Sequence, residues 1–168
     1  RMPITNFNSI ADLQHIGFTG FKTVHELWAD YSCIPDAPGV YLVLTPKQDP
    51  IFLTTGVGGF FKGKDPNVDE AVLKREWVSG AQVIYIGKAG GPSSGATLKK
   101  RLKQYLRFGQ GKNVGHWGGR YIWQLENHAD LIFCWKETGT KDPLLVEQSL
   151  IHDFQKQYRL RPFANLTG

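Results

Sequence analysis

Cysteine is scarce in this chain of 168 residues: there are two, Cys33 and Cys134, far apart and not at CxxC spacing. That excludes a disulfide framework and a zinc site, and makes a reducing cytoplasm the natural compartment. No apolar run approaches the roughly 18–20 residues that a membrane span requires, so no membrane partner is expected. The opening stretch RMPITNFNSI has no secretory-type apolar segment. Acidic residues are the minority, 15 against 20 Lys and Arg, for a net charge of +5. This excess favours a polyanionic partner without requiring one. Repeats and low-complexity tracts are missing, as are the HExxH and GxSxG patterns. A phosphate-binding loop of the Walker kind is excluded too, because Ala89 stands after Gly87-Lys88 where Ser or Thr is needed. His116 and His128 have no partner at ligand spacing and read as structural.

What the chain has is a core. Hydrophobic residues make up 41% and charged residues 21%, enough for one ordinary domain with an elaboration or two. Five Trp, six Tyr and ten Phe can serve either that core or base stacking. Residues 1–37 read as an N-terminal extension with two short helical patterns broken by Gly17 and Gly20, ending at Pro35 and Pro38. GVYLVL, 39–44, is a buried strand by its continuous β-favouring run. Residues 45–81 look inserted: IFLTT is a candidate strand, GVGGFFKGKDP a loop, and NVDEAVLKREWV a short helix. QVIYIGKA, 82–89, is the clearest strand. LKKRLKQYLRF, 98–108, is amphipathic at helical period. A second helix is expected around GGRYIWQLEN, a third strand at 129–137, and a last helix from Asp142-Pro143 to about Gln157. The expected architecture is an α/β (α+β) sandwich, a small three-stranded central sheet flanked by helices.

Several residues could carry chemistry. Glu147 has Leu144, Leu150 and Ile151 as helix neighbours, so its carboxylate is either desolvated or at the edge of the apolar stripe. It can be a metal ligand, a hard oxygen donor of the kind Mg²⁺ takes, or it can pair with Arg or snorkel to water. Arg101 borders the apolar face of its helix, where a planar fork can grip a phosphate. Lys99, Lys103 and Arg107 share another face at four-residue spacing, either as a ridge tracking a nucleic-acid backbone or as plain solvated surface. Tyr41 and Tyr85 lie in buried strands, where a phenol is ordinarily core. Beside a cation, however, a phenol loses its proton more easily and can act as a base.

Taken in order, these pieces resemble the GIY-YIG nuclease family. Gly39-Val40-Tyr41, after Pro38, is similar to its first signature in the GVY spelling. Tyr85-Ile86-Gly87 is similar to the second, with Lys88-Ala89 as the usual continuation. LKKRLKQY resembles the helix that carries the family's arginine, Arg101 here, with a tyrosine one turn later, Tyr105, as in the excision-repair branch. Glu147 falls where the family has its metal-binding glutamate, and RPFAN resembles the closing element, giving Asn165. The resemblance covers roughly 38–45 and 82–165. The 45–81 insertion separates the two signature strands, which are close together in the family. The loop before Leu98 and the stretch from Glu147 to Asn165 are also long, and no helix-hairpin-helix is appended.

The resemblance implies a GIY-YIG-like domain over 38–168 that hydrolyses DNA phosphodiester bonds. In it Tyr41, Tyr85, Lys88, Arg101, Tyr105, Glu147 and Asn165 form the site, and Glu147 holds one Mg²⁺ or Mn²⁺. The closest flavour is the incision domain of bacterial excision repair, a DNA-repair setting. Target choice would then fall to the insertion, the extension, an accessory protein or a second copy of the chain. Two other readings stay open: an idle domain that only binds nucleic acid or protein, and a restriction or homing-type enzyme with sequence specificity.

Overall fold

A computed structural model describes Phe7 and residues 9–166. The first stretch of the expected extension, 1–6 and 8, lies outside the described residues, as do 167 and 168. The strands are β1 (Thr19–Thr23), β2 (Gly39–Leu44), β3 (Val83–Ala89) and β4 (Ile132–Glu137). The α-helices are α1 (Ile10–His15), α2 (Val24–Ala29), α3 (Glu70–Glu76), α4 (Leu98–Phe108) and α5 (Pro143–Tyr158). Among the described residues no helix is long and apolar enough to cross a membrane.

The sheet has four strands in the order β1-β4-β2-β3, every neighbouring pair antiparallel. Three were expected. The fourth, β1, comes from the extension, which was read as helical on both sides of its glycines. An uncovered outer edge on β4 would leave a row of unpaired backbone groups, and β1 satisfies them. Its pairing shifts register between Gly20 and Lys22, leaving Phe21 as an extra residue with a φ of 53°. That irregularity breaks the alternation by which a strand is read from sequence. The extension is thus built into the sheet.

Alternation along β2 divides the interior in two. Tyr41 and Val43 join Leu98, Leu102, Tyr105 and Leu106 of α4 on one face. Val40, Leu42 and Leu44 join Leu150, Ile151 and Phe154 of α5 on the other. In β3 the register slips by one residue, because Val43 faces Tyr85 and Leu44 faces Val83, so Ile84 is the extra residue. Both Ile84 and Tyr85 therefore turn to the α4 face.

Three further expectations change. GGRYIWQLEN forms turns of 3-10 helix over Trp117–Gln124, irregular at Gly119, and no α-helix. IFLTT makes one isolated bridge, Phe52 to Leu125, and no strand. The strand expected from 129 starts at Ile132, behind a 3-10 turn at His128–Asp130. Gln124 ties the IFLTT stretch to the 3-10 turns. Its backbone carbonyl accepts from Leu53 N at 2.7 Å, and its side chain donates to Leu53 O at 3.1 Å and Val68 O at 2.9 Å. Residues 45–81 are held by that amide together with scattered single backbone bonds, such as Glu126 N to Ile51 O, Val57 N to Trp123 O and Gly59 N to Phe108 O, so no periodic pattern marks them.

Candidate active site

β2 and β3 carry Tyr41 and Tyr85 to the same face, their ring centroids 6.0 Å apart. Each signature strand needs its glycine for a steric reason. A Cβ on Gly87 would stand 2.4 Å from Cζ of Tyr41, whose ring lies across it. A Cβ on Gly39 would stand 2.3 Å from the Lys136 carbonyl oxygen and 2.7 Å from Leu98 Cδ1, where α4 begins. The start of α4 is fixed by Thr97, whose hydroxyl caps Lys100 N, and by Leu98 N and Lys99 N donating to the carbonyls of Ala37 and Pro35. This presents Arg101 to the tyrosines.

Tyr41, Tyr85, Lys88, Arg101 and Glu147 line one cleft of about 390 Å³, together with Gln104 and with Ser94 and Ala96 of the loop before α4. That volume is at the small end of ligand sites. Tyr41 and Tyr85 reach it from the α4 face of the sheet, whereas Glu147 comes from α5 on the other. Five of the seven expected site residues, drawn from β2, β3, α4 and α5, thus share a wall.

Tyr105 and Asn165 stand behind it. Tyr105 is fully buried and its hydroxyl donates to the Gly119 carbonyl at 2.6 Å. Asn165 acts as a missing strand neighbour for β3: Ile86 N donates to its Oδ1 at 3.0 Å and its Nδ2 donates to Ile86 O at 3.0 Å. It holds the segment next to Tyr85. Lys99, Lys103 and Arg107 do not line the cleft. Lys103 lies over the Tyr31 ring, 5.6 Å from its centroid.

Burial sets the proton affinities. It pushes Tyr85 up to about 12, with Arg101 pulling down, Glu147 pushing up and a weak contact from the Tyr41 hydroxyl pulling down. Tyr41 is raised well above its usual value, by burial and then by Tyr85. The Glu147 carboxyl is raised by burial, against the pull of Lys88 and Arg101. Neither cation pairs with it directly, since the ion pairs among the described residues engage Glu70 and Glu76. Among the described residues no cluster of three or more His, Cys, Asp or Glu exists. A lone, half-desolvated carboxylate in an open cleft fits Mg²⁺ or Mn²⁺, which take one or two carboxylates and complete their shell with water and phosphate oxygens.

His116, read from the sequence as structural, is packed in the interior behind the tyrosines. It is 1% exposed, its Nε2 lies 2.7 Å from the Tyr41 hydroxyl, and its ring stacks on Tyr105 with centroids 3.6 Å apart. Burial, and then Arg101, push its pKa well below the usual value, so the ring is neutral. No local pattern could have found its contact with Tyr41, because that partner is 75 positions away.

No family model, no curated protein and no solved structure matches the chain.

Proposed function

We propose that this chain is a metal-dependent endonuclease of the GIY-YIG kind, hydrolysing DNA phosphodiester bonds by in-line attack of water. The observation that carries the reading is the convergence of Tyr41, Tyr85, Lys88, Arg101 and Glu147 on one cleft. Their ordered motifs point to that chemistry, and their separation in sequence makes the meeting informative. The sheet of antiparallel strands between α4 and α5 is compatible with such a domain.

In this reading the scissile phosphate lies against Arg101, whose guanidinium offers parallel donors to the charge that grows on the phosphate oxygens. Tyr85 takes the proton of the attacking water. At rest it is a phenol, since burial raises it to about 12, so it first releases its own proton to solvent through the open cleft and acts as a base only in the fraction that cations hold as phenolate. Arg101 is one such cation and Lys88, in the same wall, the other. Tyr41 stands beside Tyr85 to hydrogen-bond its oxygen. Glu147 would hold one Mg²⁺ or Mn²⁺, which would supply charge neutralisation at the phosphate and the departing oxygen. Tyr105 and Asn165 brace the wall.

The test is incubation of supercoiled plasmid DNA with the protein and Mg²⁺ or Mn²⁺, with EDTA as control. Nicking or linearisation by the parent is expected, abolished in Glu147→Ala and in Tyr85→Phe while their circular dichroism stays that of the parent. Full cutting by both variants would overturn the reading. So would a parent that binds DNA but cuts nothing with either metal.

A further inference from the structure

The loop after α4 is clamped to that helix at two points one turn apart. Arg101 Nη1 donates to the Gly115 carbonyl at 3.2 Å, and the Tyr105 hydroxyl donates to the Gly119 carbonyl at 2.6 Å. Between them the loop drives His116 into the interior, flat on Tyr105 and against the Tyr41 hydroxyl. An apolar side chain could fill that space. An imidazole there must place one proton on one of two nitrogens, and the choice fixes the direction of every hydrogen bond up to Tyr85.

The surroundings decide it. His116 Nδ1 is buried without a hydrogen-bond partner, and only its own backbone acts on the ring to raise its proton affinity, a smaller effect than burial and Arg101, which lower it. A proton on Nδ1 would bury an unmet N–H, which folded proteins rarely tolerate, whereas a bare Nδ1 leaves only a lone pair unmet. A proton on Nε2 is met at once by the Tyr41 oxygen 2.7 Å away. The Tyr41 hydroxyl then has no acceptor in His116 and turns to Tyr85, whose ring centroid lies 6.0 Å from its own and whose proton affinity is lowered by a hydrogen bond from Tyr41. The Tyr105 hydroxyl is already committed to Gly119.

We propose that His116 is a positioning residue: a neutral Nε2–H imidazole that donates to Tyr41 and so aims the Tyr41 hydroxyl proton at the Tyr85 oxygen. Its consequence for rate rests on the nuclease reading above, while its hydrogen-bond direction does not. In effect a His-Tyr-Tyr chain keeps the Tyr85 oxygen supplied with a donor that stabilises its phenolate form. The interaction tightens as charge develops, so it acts on kcat more than on KM.

Two measurements test this. Two-bond ¹⁵N–¹H correlation spectra of histidine-labelled parent protein should show the buried ring neutral with its proton on Nε2, a signal missing in His116→Leu. A proton on Nδ1 would overturn the proposal whether or not the protein cuts DNA. In plasmid cleavage, His116→Leu should lower kcat about 10–100-fold, as removal of an orienting partner commonly does, with KM little changed. His116→Gln, which keeps a donor near the Nε2 position, should recover most of the loss. In a Tyr41→Phe background His116→Leu should cost nothing more, whereas a packing role would cost the same in both backgrounds. A parent inactive on plasmid with either metal, but with Nε2 protonated, would sink the nuclease reading and leave the hydrogen-bond chain standing.

Discussion

The ring of Tyr41 covers Gly87 on the neighbouring strand so closely that a single methyl there would meet Cζ at 2.4 Å and the hydroxyl oxygen at 2.6 Å. The glycine of the second signature therefore exists to seat the tyrosine of the first. Gly87→Ala should push the Tyr41 ring off β3 and away from His116. Overpacking of this sort costs about 1–3 kcal/mol. The loss of DNA cleavage should exceed what that destabilisation explains, because the variant remains folded at working temperature with a displaced phenol. Chemical denaturation together with plasmid nicking checks both halves; unaltered cleavage would show that the Tyr41 position is immaterial.

Asn165 closes the free edge of β3 through two hydrogen bonds to Ile86. Asn165→Ala leaves a buried N–H and a buried C=O without partners, a cost of about 2–4 kcal/mol at roughly 1–2 kcal/mol each. Asn165→Asp keeps the acceptor but points a carboxylate oxygen at the Ile86 carbonyl, so it should be no milder near neutral pH. Urea unfolding of the three proteins reads the difference. A loss below about 0.5 kcal/mol in the alanine variant, the range of an ordinary surface change, would mean that the edge is held by other contacts.

Much of this was legible beforehand, where a run is unbroken. β2 and α4 coincide with the runs at 39–44 and 98–108 because a continuous β-favouring stretch marks the one and helical spacing the other. The ordered motifs identified the cleft residues, since a strand or helix fixes where its side chains point. β1 escaped because it is short and interrupted at Phe21. Residues 45–81 escaped because scattered single bonds, the Gln124 side chain among them, hold them, and the His116 contact because its partner is distant in sequence.

Arg101 has two tasks in the geometry. Its Nη1 ties down the loop through the Gly115 carbonyl and also lies 3.3 Å from Gln104 Oε1, while the side chain lines the cleft. Lysine has one compact ammonium and no fork, so Arg101→Lys cannot hold the loop and face a phosphate in two places. In plasmid cleavage kcat should fall about 10²-fold or more, as when a preorganised donor to a developing anion is lost. Melting temperature should fall modestly with the loss of the Gly115 tie, by less than would explain the drop in kcat. Near-parent cleavage by the lysine variant would reduce Arg101 to a point charge and remove the bidentate grip from the mechanism.

Glu147 offers a test that needs no catalysis. Burial raises its carboxyl above 4.5, its ordinary value, against the pull of Lys88 and Arg101. The folded chain therefore holds that proton more tightly than the unfolded chain does. The stability this gives is complete below pH 4.5 and lost as pH rises through the folded value. Glu147→Gln, always neutral, should melt higher than the parent near neutral pH in EDTA, and the gap should close in buffers below the carboxyl's ordinary value. Adding Mg²⁺ or Mn²⁺ should reverse the order, because an ion bound only by the folded carboxylate stabilises the parent by mass action and leaves the glutamine variant where it was. If both proteins respond equally to the ion, Glu147 is not its ligand. If the neutral-pH gap is absent, the carboxylate is solvated and the cleft is wetter than its lining implies.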